Sequence, residues 1–139
     1  MEVSNQTIRV ALGALEYLGG IKLPIVTVAL PIARLKIELV ALLKPVEEIH
    51  QELIERYAER DEDGKIKKTE DGKGILLTNG AGFKEENDML MNETVEVKSP
   101  KIHLPEMIAS TCDKCHHNMD KPLEIEANII ALLMDFIEE

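Results

Sequence analysis

Apolar side chains recur at helical spacing over the first half of the chain, most clearly after Pro31. The apolar positions there alternate in steps of three and four over three heptads: Ile32, Leu35, Leu39, Leu42, Val46, Ile49 and Leu53. Pro31 fits the first turn of a helix. Pro45 lacks the N–H that an internal helical residue donates, so we expect a kink there. The pattern predicts a kinked long helix made of two rods, about 32–44 and 45–60.

Two further segments are predicted to form helices that pack against this one. Residues 7–18 place isoleucine and leucine on one face, and Gly19 and Gly20 end that helix. Residues 123–138 follow Pro122, which is typical of a helix start. The apolar face of this last helix comprises Ile125, Ile129, Leu132, Leu133, Phe136 and Ile137.

The segment 61–105 is rich in turns and predicts the β part of the fold. Gly64 and Gly72 each follow an acidic pair, which is typical of a turn. Apolar residues at 75–77 predict one short strand. Residues 94–104 predict another, because apolar and charged residues alternate at its start.

Two shorter elements complete the prediction. Residues 83–92 predict a short helix with Phe83, Met89 and Leu90 buried. The β-branched residues of the connector at 25–28 predict a short strand before the long helix.

These elements predict a single domain over residues 1–139. Its class is α+β, predominantly α, with two or three core helices and a small β-hairpin or sheet. The helical core spans 7–60 and 123–138, and a loop rich in cysteine and histidine spans 110–121. The core must be aliphatic, because the chain has two Phe, two Tyr and no Trp.

A net charge of −10 restricts the partners that we expect. A phosphate backbone repels such a surface, which argues against direct binding of nucleic acid. An acidic surface that mimics nucleic acid remains an alternative. We expect no membrane span, because charged residues and prolines interrupt the apolar segment 21–43. We also expect no secretion signal, so the two cysteines should be reduced.

The most reactive side chains lie between residues 112 and 117. Candidate zinc ligands are Cys112, Cys115, His116 and His117, because two cysteines at this spacing can occupy two corners of a tetrahedral site. Residues 112–116 also match the haem-attachment motif Cys-x-x-Cys-His. A redox-active cysteine pair and a zinc site shared between subunits are further alternatives. We favour a reduced cysteine pair in a surface loop and expect no cofactor, with zinc as the alternative.

A second candidate site is an acidic loop that partly matches a calcium-binding loop. Its candidate ligands, aligned on Gly64, are Glu59, Asp61, Asp63 and Glu70. Glutamate at the first position is too long for the usual geometry, and Gly72 and Gly74 oppose an exiting helix. We favour an acidic turn. The sequence also lacks a nucleophile elbow and a phosphate-binding loop, so we do not expect an enzyme.

The order of motifs along residues 7–105 is similar to that of a known group of proteins. A leading helix is followed by a Leu-Pro connector, a Glu-rich helix, an acidic turn, a Phe-Lys-Glu-Glu segment and a Val-Glu-Val strand. The segments are Leu23–Pro24, Glu47–Glu48, Leu53–Glu59, Asp61–Gly64, Phe83–Glu86 and Val95–Val97. This order resembles a group of small phage and prophage proteins of unknown function. The resemblance implies a virion component, an assembly factor or an inhibitor of a host protein, in the host cytoplasm or the virion.

The 32–44 rod is apolar on nearly all sides, so more than one partner element must cover it. The two other core helices can cover two sides, which leaves a third for a second copy of the chain. The residues predicted to form this interface are Leu35, Leu39, Val40, Leu42 and Leu43. We therefore predict a self-associating protein-binding protein. The alternatives are an acidic inhibitor of a host protein, a small metal-binding module and a monomer closed by the segment 94–104.

Overall fold

Four helices and two small antiparallel sheets make up the part of the chain that the structure describes, residues 1–111 and 118–138 of a computed structural model. The helices are α1 (Asn5–Gly19), α2 (Leu30–Tyr57), α3 (Gly80–Asn92) and α4 (Ala127–Leu132). The strands are β1 (Glu2–Ser4), β2 (Thr94–Glu96), β3 (Met107–Thr111) and β4 (Asn118–Pro122). The predicted class, α+β and mainly α, is confirmed.

Helix α1 begins where local hydrogen bonds favour it. The Ser4 hydroxyl accepts a hydrogen bond from the backbone N–H of Thr7 at 3.1 Å, which caps the first turn. The buried Asn5 side chain donates to the Leu90 carbonyl at 2.8 Å, and the Asn5 N–H donates to the Glu93 carbonyl at 2.9 Å. These two bonds join the start of α1 to the end of α3.

Helix α2 is continuous from Leu30 to Tyr57 and contains Pro45. The predicted long helix is confirmed, and its predicted halves, about 32–44 and 45–60, belong to one continuous helix. The connector before α2 differs from the prediction, because Ile25–Ala29 forms a π-helical turn instead of a strand. In that turn the N–H groups of Val28 and Ala29 donate to the Pro24 carbonyl at 3.1 and 2.9 Å, so the backbone hydrogen bonds are local, as in a helix, and not to another strand.

The core lies where α1 and α3 pack against one side of α2. Leu35 and Leu39 are fully buried there, as predicted for the seam. Leu42 is only partly buried and Ile49 is exposed, whereas Leu43 is buried. The buried apolar residues that form this core cluster are Val3, Ile8, Ala11, Ala14, Leu15, Leu18, Val28, Ile32, Leu35, Leu39, Leu43, Val46, Met91, Val97, Ile102, Leu133 and Phe136. Leu53, Ala58 and Ile108 are also buried, outside that cluster.

Helix α3 buries a different side chain from those predicted. Met91 is buried, Phe83 and Leu90 are partly buried, and Met89 is 69% exposed. The difference arises because the end of α3 is drawn towards α1 by the Asn5 hydrogen bonds, so the residue after Leu90 faces the core.

The two sheets are shorter than the predicted strands. Strand β2 pairs with β1 at the N-terminus, with Val3 opposite Val95. Strands β3 and β4 form a hairpin in which Thr111 is opposite Asn118. Residues 100–104 form no strand, although Ile102 makes a parallel bridge with Ile137.

Residues 58–78 form a loop closed by three backbone hydrogen bonds that make a ring. The Glu59 N–H donates to the Leu76 carbonyl, Leu76 to Lys67, and Lys67 to Glu59, at 2.8, 3.1 and 2.8 Å. The predicted strand at 75–77 is therefore reduced to isolated bridges, because three segments meet at one point and cannot extend as a ladder.

The predicted C-terminal helix is too long at both ends. Residues 123–126 are extended, and the Leu123 N–H donates to the Glu106 carbonyl at 2.8 Å. The Glu138 N–H donates to the Ile102 carbonyl at 2.9 Å. Both ends therefore bond to distant backbone, which leaves α4 with only its central turns.

Candidate functional site

Helix α2 carries two apolar faces, and the rest of the described chain covers one of them. The covered face contains Leu35 and Leu39, which belong to the same buried cluster as residues of α1 and the C-terminal segment. With 3.6 residues per turn, α2 also presents Ala33 and Ile37 on the opposite side, and Val26 lies in the π-helical turn that precedes α2. Those residues face solvent.

The opposite face is an exposed stripe formed by Val26, Leu30, Ala33, Ile37 and Val40. From Leu30 onwards its members follow one another in steps of three, four and three residues, which keeps them on one side of α2. Val26 precedes Leu30 by four residues and lies in the π-helical turn. Val26 and Ile37 are each 72% exposed and Val40 is 52% exposed. Within residues 1–111 and 118–138, nothing covers this stripe.

The exposed stripe lies in a basic part of an acidic protein. Residues 21–44 contain four basic side chains and only one acidic side chain, Glu38. Residues 45–56 reverse this balance, with four glutamates and one arginine. Charge is therefore segregated along α2 while the stripe itself contains no charged residue.

The two flanks of the stripe are held by contacts within the chain. Lys36 pairs with Glu16 of α1. On the other flank Glu38 accepts hydrogen bonds from the backbone N–H groups of Lys98 and Ser99 at 2.6 and 2.9 Å. These contacts fix the orientation of α2, so the stripe is presented on a rigid helix.

The five predicted interface residues differ in how far they are buried. Leu35, Leu39 and Leu43 are buried in the core of the chain, and Leu42 is partly buried. Only Val40 is exposed on the stripe. Val26, Leu30 and Ile37 were not predicted as interface residues and lie on the surface. Their signal was the second series of steps of three and four, offset from the seam that was assigned.

The candidate zinc ligands Cys112, Cys115, His116 and His117 lie outside the described residues, so zinc binding stays a prediction. The structure describes the strands on either side, β3 and β4. His103, which precedes β3, is exposed, with its Nδ1 atom 3.9 Å from a carboxylate oxygen of Glu138.

The candidate calcium ligands lie in and beside the turn of the 58–78 loop. The Asp61 carboxylate accepts hydrogen bonds from the N–H groups of Asp63 and Lys65, both at 2.9 Å, so it stabilises the turn. Gly64 takes a positive φ of 81°, which favours glycine there. Over residues 1–111 and 118–138, no three Asp, Glu, His or Cys side chains gather as a metal-binding group. Glu59 and Glu70 thus join no such group.

Two clefts border the helices. One, of about 280 Å³, lies between the C-terminal half of α2 and α3 and is lined by Ile49, Glu52, Leu53, Arg56, Glu86, Met89 and Leu90. The other, of about 650 Å³, is lined by Tyr17, Leu104, Pro105, Leu123, Glu124, Ile125, Glu126 and Ile130. Both are open and mix carboxylates with apolar side chains, with no grouping of a nucleophile and a base.

No family model matches the chain, and neither a curated protein nor a solved structure matches it. None of the helices described above combines the length and the apolar character that a bilayer crossing demands. The resemblance to phage proteins stays a prediction from the sequence.

Proposed function

We propose that this protein is a non-enzymatic binding protein that associates with a second copy of itself through the exposed stripe of α2. In the context that the resemblance implies, it acts as a phage virion or assembly component. The observation that carries the proposal is the row Leu30, Ile37 and Val40, which is exposed on the side of α2 opposite the core, with the exposed Val26 in the turn just before the helix.

The exposed apolar residues of the stripe are neighbours on one surface. An isolated exposed apolar side chain is ordinary, whereas a contiguous apolar patch usually marks an interaction site. Burying a valine or isoleucine side chain completely contributes about 1.5–3 kcal/mol. A pairing of two copies buries both stripes at once, so even partial burial offsets much of the entropic cost of association.

Light scattering after size-exclusion chromatography tests the proposal at micromolar concentration. We expect the wild-type mass to exceed the 15.6 kDa of a single chain. Val40→Glu and Ile37→Glu place a carboxylate in the stripe and should return the protein to a single-chain mass.

Met89→Glu is the matched control, because Met89 is as exposed as the stripe residues but lies on α3. It adds the same charge and should leave the larger mass unchanged. A wild type of single-chain mass contradicts the proposal. A larger wild type that all three substitutions leave intact assigns association to another surface.

The alternative function, an acidic inhibitor of a host protein, is favoured by a different part of α2. Glu47, Glu48, Glu52 and Glu55 are all exposed on its C-terminal half. A row of carboxylates can occupy a basic site that normally binds nucleic acid. Salt-sensitive binding of a monomeric protein to a DNA-binding partner, competed by duplex DNA, would support this function.

A further inference from the structure

We infer that the cleft between the C-terminal half of α2 and α3 binds an amphipathic helix of another protein, one that carries lysine or arginine beside a row of apolar side chains. This inference goes beyond the proposed self-association, which uses the exposed stripe on the N-terminal half of α2. The shape of the cleft, its apolar lining and the charges beside it identify the chemistry of the partner.

The cleft is a groove between two helices that pack side by side. On α2 it is lined by Ile49, Leu53 and Arg56, which follow one another in steps of four and three residues. On α3 it is lined by Met89 and Leu90. A third helix fits such a groove, because rows of side chains at this spacing interdigitate with the rows of a neighbouring helix.

The lining of the groove is mainly apolar and partly open to solvent. Leu53 is buried, whereas Ile49 is 44% exposed and Met89 is 69% exposed. An apolar side chain of the partner that enters the groove would remove both from water, which is favourable in proportion to the area buried. Methionine suits this role because its unbranched, flexible side chain adapts to the shape of a partner.

A row of glutamates beside the groove determines the charge of the partner. Glu48, Glu52 and Glu55 are exposed and follow one another in steps of four and three residues, next to the row of α2 that lines the groove. Within the described part of the chain, the basic residue of the groove, Arg56, pairs with Glu86 of α3 at 4.0 Å and not with this row. Like charges at this spacing repel one another along a helix. Basic side chains of a partner replace that repulsion with attraction, so the groove favours a basic helix.

Contacts beside the groove hold its two walls together. His50 of α2 and Asn87 of α3 share a hydrogen bond of 2.8 Å between Nδ1 and Oδ1. The ring of Phe83 lies 6.2 Å from that of His50 and 6.1 Å from that of Tyr57, the latter edge to face. Because these contacts join α3 to α2, the groove is formed before a partner arrives, and little ordering opposes binding.

Designed peptides test the inference by fluorescence anisotropy. The probe is a labelled peptide of about 18 residues, or about five helical turns, with a leucine row at helical spacing and lysines beside it. A second peptide has the same composition in scrambled order, which removes the apolar row but keeps the charge. A third peptide has glutamate in place of every lysine. Each is titrated with the wild-type protein and with single variants.

We expect the wild type to bind only the first peptide. Glu52→Lys should raise the Kd about two- to thirtyfold, because it turns an attraction into a repulsion. Met89→Ala should raise the Kd about fivefold or more, because it removes an apolar contact of the groove. The matched controls are Glu124→Lys, at an exposed residue of the other cleft, and Ile37→Ala, on the exposed stripe. Each control should change the Kd less than about twofold.

Four results would overturn the inference. The first peptide fails to bind, or the scrambled peptide binds as tightly. Glu52→Lys and Glu124→Lys have equal effects, which means attraction by net charge alone. Ile37→Ala weakens binding as much as Met89→Ala, which places the peptide outside the groove. Met89→Glu returns a larger native mass to that of a single chain, which makes a second copy the occupant. A single-chain mass of the wild type contradicts the proposed self-association and leaves the peptide test unaffected.

Discussion

Glu38 binds Ser99 through two hydrogen bonds to one carboxylate oxygen: the Ser99 N–H donates at 2.9 Å and the Ser99 hydroxyl donates to the same atom. The other carboxylate oxygen accepts from the Lys98 N–H. Three donors on the segment after β2 are thus satisfied by one side chain of α2. The contact fixes that segment, including the buried Val97, against the helix.

Glu38→Ala should destabilise the protein by about 1–3 kcal/mol, because it leaves the donors of Lys98 and Ser99 without their acceptor. Chemical denaturation monitored by circular dichroism measures this loss. Glu55→Ala, an exposed position on the same helix, is the control and should change the free energy of unfolding by less than about 0.5 kcal/mol. Equal effects of the two substitutions would show that the contact with Ser99 contributes nothing.

The same contact predicts a pH dependence. Burial raises the pKa of Glu38, but hydrogen bonds from Ser99 and Lys98 outweigh it and hold the pKa below its usual value of 4.5. A pKa lowered by folding means that this stabilisation is fully present above the unfolded pKa and is lost as pH falls through the folded pKa. The difference in stability between wild type and Glu38→Gln should therefore shrink below pH 4.5 and stay constant between pH 6 and 8. A difference that grows on acidification would contradict this sign.

Leu39→Ala should destabilise the chain by about 2–5 kcal/mol, because it opens a cavity where α1 packs on α2. Leu39 is 0% exposed. Met89→Ala removes an apolar side chain of similar size at an exposed site. It should lower the free energy of unfolding by less than about 0.5 kcal/mol. Denaturant titration of both variants provides the comparison. A loss below 0.5 kcal/mol at Leu39 would be inconsistent with its place in the core.

The sequence predicted α1 and α2 well because their apolar periodicity is local. The seam through Leu35 and Leu39 needs no information beyond the spacing of neighbours. The exposed stripe through Ile37 and Val40 has the same periodicity, so spacing alone cannot say which of two apolar faces is covered. That choice depends on where α1 docks, which only the structure reveals.

The elements that were missed or overextended depend on distant partners. Strand β1 has only three residues and forms because Val3 meets Val95, far along the chain. The C-terminal helix is shortened because Leu123 and Glu138 bond to backbone at Glu106 and Ile102. Local periodicity at Ile125 and Ile129 favoured a longer helix, and pairing with a remote segment outweighed it.

Removal of metal should leave the fold intact. The core draws its residues from β1, α1, α2, α3 and the C-terminal segment, so its packing does not depend on Cys112 or Cys115. Thermal unfolding followed by circular dichroism should give the same midpoint with and without EDTA. Cys112→Ser combined with Cys115→Ser should also melt at that midpoint. A drop of several degrees on chelation, or one equivalent of zinc by mass spectrometry, would instead establish a structural site.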